Sequence, residues 1–394
     1  MDLHQISQTG FRVDYESFRR EVIIPEQKQL DVLRNQLVEE IGECDLDNPA
    51  SVSRNLTAHG YTVKYGVPFD WLKKHCEEET VFSLLLKYRK KQAFLKQYGK
   101  SFREFIAPDG RIHPQYFDNV SVTGRMSAKN PAAMSLDGRI MQYVVPDNGS
   151  VLLSMDFAAL DFRSLASVSH DPYLSERLSF RNFDIHAYNA GLMFKTQEIS
   201  AEQRKQGKKL GLAIVYGMTA QTLAKQLSKS SHRLISPEEA SGFIKEVYDS
   251  FPLVQTYQRN LLKGRIGCRT RGGKQFDAKS LTAAQILNYP VQGTSSEGFK
   301  VVVDGLEKTC SYAKITMLIH DCVMVEYPER YADKAETEIP AVAEKVMSDY
   351  LGIESFVKTK MIFPQADLKG AQQPQYCRKY LSTEGNPLER NVLI

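Results

Sequence analysis

Two aspartates stand where acids could do metal chemistry. Asp156 ends the apolar stretch SVLLSMD over 150–156. Asp321 belongs to the polar pair His320-Asp321, which splits KITMLIHDCVMVEY over 314–327 into two apolar halves. An acid directly after a buried strand lies at the sheet edge with its carboxylate in a cleft. Two such acids on neighbouring strands could hold two Mg²⁺ ions, hard cations that prefer oxygen ligands. A metal pair about 3.5–4 Å apart stabilises both the attacking and the leaving oxygen of an in-line phosphoryl displacement. The bland alternative is two unrelated turn aspartates, and spacing alone leaves both readings open.

A third stretch bears on that choice. In EQRKQGKKLGLAIVYGM, Arg204, Lys208, Leu212 and Tyr216 recur every four residues. At 3.6 residues per turn they share one face of a helix. Cations one turn apart, then an aromatic, suit a triphosphate and a base: lysine as a point charge, arginine as a bidentate grip. An ordinary amphipathic helix with a solvated basic start has the same pattern. In NYPVQGTSSEG, Asn288 and Gln292 lie four apart around Pro290. Amides of this kind can read the minor-groove edge of base pairs, although most Asn and Gln simply face water.

Elements that could position these groups are legible. The chain has 394 residues, 42% hydrophobic and 25% charged. That is enough for a sizeable core and more than one domain, and it excludes intrinsic disorder. No apolar run approaches a membrane span. The start, MDLHQISQTG, lacks the pattern of a signal peptide. Six scattered cysteines without a CxxC pair exclude a zinc ribbon or a disulfide scaffold and suit a reducing cytosol. A net charge of +4 allows an anionic partner without demanding one. Residues 25–43 place Leu30, Leu33, Leu37 and Ile41 on one helical face, with Pro25 suited to the first turn. Residues 79–98 repeat the pattern with Val81, Leu85, Tyr88, Leu95 and Tyr98, and carry Lys87, Arg89, Lys90, Lys91 and Lys96. Those cations form either a solvated face or a surface for a phosphate backbone. Beyond residue 105 the texture turns to short strands, then a mostly helical stretch over 175–260, a basic Gly-rich loop over 263–280 and a strand–turn–strand over 314–327. A mixed sheet interrupted by a large helical insertion is expected, an α+β arrangement rather than a doubly wound one.

The order of the motifs carries a resemblance. VTGRMS at 122–127, SMDFAALDFRSLA at 154–166, DIHAYNAGLMF at 184–194, RKQGKKLGLAIVYGM at 204–218, NYPVQGT at 288–294 and LIHDCVMVE at 318–326 follow one another. This set resembles family A DNA polymerases, the group of bacterial DNA polymerase I, from about residue 9 to about residue 363. The resemblance covers the polymerase module only; the family's proofreading and 5′-nuclease domains are expected to be absent from this chain.

It implies an α+β right hand: an antiparallel palm sheet with helical thumb and fingers. Residues 1–25 would lead into the palm, 26–105 form the thumb, 106–165 the palm, 166–290 the fingers, and 291–394 the palm again with a C-terminal tail. It implies template-directed addition of dNTPs to a primer 3′-OH by a monomer on primer–template DNA, with two Mg²⁺ ions for which Mn²⁺ can substitute. The module would work in the cytoplasm, or in a host's cytoplasm if phage-encoded, without a membrane. There is room for an unidentified processivity or exonuclease partner.

Residue by residue, Asp156 and Asp321 resemble the two metal-binding aspartates, and Lys208 the donor to the leaving pyrophosphate. Arg204, Lys208 and His186 match the triphosphate contacts. Tyr216 matches the tyrosine beside the templating base, and Asp161 and Leu212 line the same nucleotide site. Arg125, Asn288, Gln292 and His320 match groups on the template, the minor groove and the primer end. Four features depart from the pattern. Asp161 replaces a glutamate that packs against the sugar, Leu212 an aromatic, and Cys322 an acid after the second aspartate. The segment between Arg125 and Arg139 is short and lacks an arginine often found near the nucleotide. A single-subunit RNA polymerase shares the aspartates and the Arg-x3-Lys-x7-Tyr-Gly spacing, but TGRMS and NYPVQGT argue against it. A DNA-binding relic without activity would be free to lose acids that are intact here.

Overall fold

The computed structural model describes residues 1–231, 233–364 and 376–380. The central strand is Ser150–Phe157. Val151, Leu152, Leu153, Met155 and Phe157 are all buried, so an almost uninterrupted apolar run is covered on both faces, and Asp156 is its one exposed residue. It is the middle of a five-stranded sheet in the order Tyr376–Tyr380, Val357–Pro364, Ser150–Phe157, Cys322–Pro328, Lys314–Ile319. Every ladder in it is antiparallel. The sheet is therefore not mixed. Lys314–Ile319 and Cys322–Pro328 form a hairpin on one side of Ser150–Phe157, and Val357–Pro364 pairs with Tyr376–Tyr380 on the other. The long helical insertion between Phe157 and Lys314 brings the chain back two strands away, parallel to Ser150–Phe157.

The hairpin of Lys314–Ile319 and Cys322–Pro328 pairs Ile319 with Cys322, leaving His320 and Asp321 as a two-residue turn. His320 takes the positive φ (+50°) that such tight turns need at a central position. On the neighbouring ladder Asp156 pairs with Cys322. Asp321 thus emerges one residue from the partner of Asp156.

This sheet belongs to a compact unit built from Met1–Gly10, Pro114–Ser135 and the chain from Pro146 onward. Its helices include Leu160–Ser169, Ile185–Phe194, Ala201–Val215, the long Ala283–Thr309 and Ala332–Leu351. Arg163 is 2% exposed. Its guanidinium donates to the carbonyls of Ala158 (2.8 Å), Leu178 (2.8 Å) and Glu354. That ties the turn after Asp156 to the helix end at Leu178 and to the segment before the Val357 strand. Burial lowers its pKa to about 10, which leaves it charged at neutral pH.

A second compact unit comprises Phe11–His113 with Leu136–Val145. Three short antiparallel strands, Arg111–Ile112, Phe11–Val13 and Val144–Val145, lie side by side. The helices Ile24–Ile41 and Thr80–Tyr98 match the expected periodic runs, burying Leu33, Leu37 and Ile41 against Val81, Leu85 and Tyr88. Two of the expected cations are used internally: Lys91 pairs with Glu26 at 2.6 Å and Arg89 donates to the Val67 carbonyl. Lys87, Lys90 and Lys96 are exposed.

Among the described residues no helix is long and apolar enough to cross a membrane. Cys44, Cys76, Cys268, Cys310 and Cys322 are free thiols. Most of the expected C-terminal tail lies outside the described residues. Within it, Tyr376–Tyr380 adds an edge strand to Val357–Pro364.

Candidate active site

Asp156 stands on the central strand and Asp321 in the turn that leads into the adjacent strand, and the two share a field. Burial first, then the neighbouring Asp161 and Asp156, raise the Asp321 pKa to about 6 against the opposing pull of Arg125. Asp156 reaches solvent at the cleft, yet the sheet around it still desolvates the carboxylate and raises its pKa, against the pull of Lys358 and Lys208. The residues that follow and precede the acids are held in left-handed conformations, Ala159 at φ +51° and His320 at φ +50°. Such non-glycine backbone is costly and concentrates at functional sites.

The Ala201–Val215 helix begins with a reciprocal cap between Ser200 and Gln203. It lies against Ile185–Phe194 through two glycines. A Cβ on Gly207 would meet the His186 carbonyl oxygen at 2.1 Å, and one on Gly211 would meet Phe162 Cζ at 2.5 Å. This close approach brings His186 beside Arg204 and Lys208, both of which act on its ring electrostatically. Arg204 Nε donates to Asp184 Oδ2 at 2.5 Å. Asp184 also caps the Ile185–Phe194 helix through the His186 and Ala187 amides. Desolvation, the largest influence, lowers the His186 pKa to about 4, so the ring is neutral at physiological pH. Its Nδ1 is buried without a partner among the described residues.

Tyr216 ends the helix, and Gly217 turns the chain at φ +60° with Leu287 packed where a Cβ would be. The Tyr216 hydroxyl donates to Asp161 Oδ2 at 2.7 Å, and Ser295 donates to Asp161 Oδ1 at 3.3 Å. The phenol pKa is pushed far up by burial, then by Asp161. Leu212, one turn earlier, is half-buried.

On the other side of Asp321, a narrow cleft is lined by Arg125, Met134, Ser296, Phe299 and His320. The Gln292 amide is assigned with its oxygen toward Arg125 Nη1 (3.0 Å) and its nitrogen toward Thr123 (2.8 Å), the orientation that satisfies both partners. Asn288, one turn before Gln292 on the Ala283–Thr309 helix, keeps a buried Oδ1 with no partner among the described residues.

The family model of DNA polymerase family A matches residues 27–361. The chain belongs to DNA polymerase family A. It is 25% identical over 309 residues to DNA polymerase I of Lactococcus lactis subsp. lactis, covering 72% of this chain and 34% of that protein. It is 27% identical over 376 residues to DNA polymerase I of Caldicellulosiruptor bescii, covering 84% of this chain and 42% of that one. The chain therefore spans well under half the length of these relatives. Among solved structures it resembles the POL domain of Pol1 from M. smegmatis, in complex with DNA primer-template and dNTP. The TM-score is 0.76 at 21% identity, over 91% of this chain and 68% of that one. At that identity the likeness speaks to the fold.

Within this family A module the departures acquire geometry. The Cys322 thiol lies 3.2 Å from the Ser154 hydroxyl, and burial pushes its pKa up to about 11. It is a neutral group where an acid is usual. Among the described residues no three His, Cys, Asp or Glu side chains gather as a metal cage. Asp156 and Asp321 supply hard oxygen donors that fit Mg²⁺, but substrate and water oxygens must complete its shell. The sequence motifs did not single out Gly207, Gly211, Asp184, Ser295 or Arg163. The glycine pair four apart and the Asp184 cap were readable signals; the partners of Arg163 and Ser295 come from distant segments and were not.

The Asp321 shift has a testable consequence. The carboxylate is charged only above about pH 6, and a protonated acid does not hold a divalent ion. The Mg²⁺ concentration for half-maximal activity is expected to rise as pH falls through 6, with high Mg²⁺ restoring most of the rate. His186 stays neutral over that range and does not contribute. The metal-free fold moves the opposite way: a raised carboxyl pKa means this group adds stability as pH falls from about 6 toward 4. Magnesium titrations between pH 5.5 and 8 check the first statement, and an unchanging requirement contradicts it.

Proposed function

We propose that this chain is a DNA-directed DNA polymerase module that adds dNTPs to the 3′-OH of a primer and releases pyrophosphate. The observation that carries the reading is the juxtaposition of Asp156, near the end of the central strand, with Asp321, in the turn next to its register partner Cys322, with Lys208 acting electrostatically on Asp156 from the Ala201–Val215 helix. Two bound divalent ions, Mg²⁺ with Mn²⁺ as substitute, would activate the 3′-OH and neutralise charge on the departing pyrophosphate.

The chain's own residues do the positioning. Arg204, Lys208 and the neutral His186 hold the triphosphate, and Lys208 supplies a proton or charge to the leaving group. Arg204 exchanges part of its bond with Asp184 for phosphate oxygens. Tyr216 walls the base, with Leu212 beside it. Arg125 and Gln292, held together, read the minor groove at the primer end, Asn288 tracks the template, and His320 borders the primer terminus. Residues 26–105, within the unit that contains Phe11–His113, serve as the thumb, and residues 166–290 as the fingers. Primer extension with dNTPs and with rNTPs, with and without Mg²⁺, is the test. Metal-dependent extension by dNTPs supports the reading. Preference for rNTPs would make the chain an RNA polymerase, and binding without extension a relic.

Sugar choice falls to Asp161. Its carboxylate still reaches Tyr216 and Ser295, but it is one methylene shorter than the family's glutamate, so the wall against a 2′-OH is drawn back. Packing against one small group is worth about 1–3 kcal/mol. Asp161→Glu is expected to raise the dNTP-over-rNTP insertion ratio about tenfold or more. A ratio equal to that of wild type would make the shorter acid irrelevant.

A further inference from the structure

Asp156 has two register partners across the sheet. On one side is Cys322, next to Asp321; on the other is Lys358, in the strand Val357–Pro364. Residues directly opposite in an antiparallel pair share a face, with Cβ atoms about 4.5–5.5 Å apart. Lys358 is exposed, while Val357 before it is buried, so its ammonium stands on the face that carries Asp156.

Its field reaches a second element. Lys358 acts on Asp156 more strongly than Lys208 does, and it also acts on His186, which lies on the Ile185–Phe194 helix. The ammonium is therefore near both a metal-binding candidate and a triphosphate-binding candidate. Among the described residues it closes no ion pair with Asp156, Asp321 or any other carboxylate. Arg204, by comparison, is already engaged by Asp184. Three ammonium donors are thus uncommitted at the edge of the nucleotide site. The neutral Cys322 leaves one fewer acid here, so a dNTP meets less repulsion and an extra cation.

We propose that Lys358 is a further phosphate-binding residue of this site, contacting the non-bridging oxygens of the incoming triphosphate and then of the pyrophosphate product. The proposal rests on the polymerase reading above. A mere counter-ion of Asp156 would be expected to close on that carboxylate, which is within reach of a four-carbon stem, and it does not.

The experiment is single-nucleotide insertion on a primed template by wild type, Lys358→Gln and Lys358→Arg, with KM and pyrophosphate inhibition read at saturating Mg²⁺ and the Mg²⁺ requirement read in a separate titration. Lys358→Gln is expected to raise the KM for dNTP and the inhibition constant of pyrophosphate about tenfold, the loss of one charge-assisted contact. Lys358→Arg should restore most of both. The Kd for primer–template, the Tm and the Mg²⁺ requirement should stay at the wild-type values. Unchanged KM and pyrophosphate inhibition overturn the assignment. So does a change confined to the Mg²⁺ requirement, which would make Lys358 a counter-ion only. Failure of wild type to extend the primer would instead overturn the polymerase reading, and this inference with it.

Discussion

Replacing Asp321 or Asp156 with alanine is expected to abolish nucleotide addition, lowering the single-turnover rate by at least about 10³-fold, or roughly 4 kcal/mol of barrier. Each carboxylate supplies hard oxygen donors that no other described side chain replaces, because no third acid, histidine or cysteine joins them in a metal cage. Primer–template affinity should stay within a few-fold, since it depends on contacts to phosphates by cations elsewhere. An asparagine variant separates chemistry from folding. Asp321 is held in a site where burial and two neighbouring acids disfavour its charge. Asp321→Asn removes that charge and should stabilise the metal-free protein by on the order of 1 kcal/mol after solvent screening, seen as a higher Tm, while activity is lost. Substantial residual synthesis in either alanine variant would remove the metal-site assignment, and a lower Tm in Asp321→Asn would contradict the cost of burying its charge.

The second large effect comes from a residue that touches no substrate. Gly207→Ala would place a methyl 2.1 Å from the His186 carbonyl oxygen and 2.6 Å from the Ala190 amide nitrogen. Both are backbone atoms of the adjoining helix, which cannot swing aside as a side chain can. The Ile185–Phe194 helix must move outward, taking His186 and the Asp184 carboxylate that orients Arg204 with it. Overpacking of this kind costs about 1–3 kcal/mol. A displacement of about 1 Å at a positioning group lowers turnover by about 10²-fold. Gly242 is the control. It lies in the Pro237–Ser250 helix, and nothing stands within 4 Å of the position a methyl would take there. The ordinary propensity rule then holds, and Gly242→Ala should stabilise by about 0.5–1 kcal/mol without touching activity. Steady-state insertion kinetics and thermal melts of the two variants check the contrast. Equal behaviour of both would show that the glycine contact does not position the site.

Local signals in the chain reached a long way. The apolar run ending at Asp156, the split run around Asp321 and the four-residue rhythm from Arg204 to Tyr216 each became the expected strand, hairpin turn and helix face. They were legible because burial and periodicity act over a few neighbouring residues. What escaped depends on register between distant segments. Nothing near residue 358 announces that it faces Asp156, because that pairing is set by a ladder spanning about 200 residues of chain. The same holds for Arg163, whose three carbonyl partners come from three separate segments. Reading strand order along the chain suggested a mixed sheet; the antiparallel palm implied by the family resemblance is the one observed. The two cations lost from the 79–98 face, Arg89 and Lys91, were missed because their partners, the Val67 carbonyl and Glu26, lie on other elements.

Template-directed transfer at the Asp156–Asp321 pair is tested most directly by rapid-quench insertion on four substrates that share one primer and differ only in the templating base. The account predicts that, in Mg²⁺, wild type adds the complementary dNTP on each substrate, that the preferred nucleotide switches with the template, and that Asp321→Ala adds none. Addition that ignores the templating base, or addition that persists in Asp321→Ala, would contradict it.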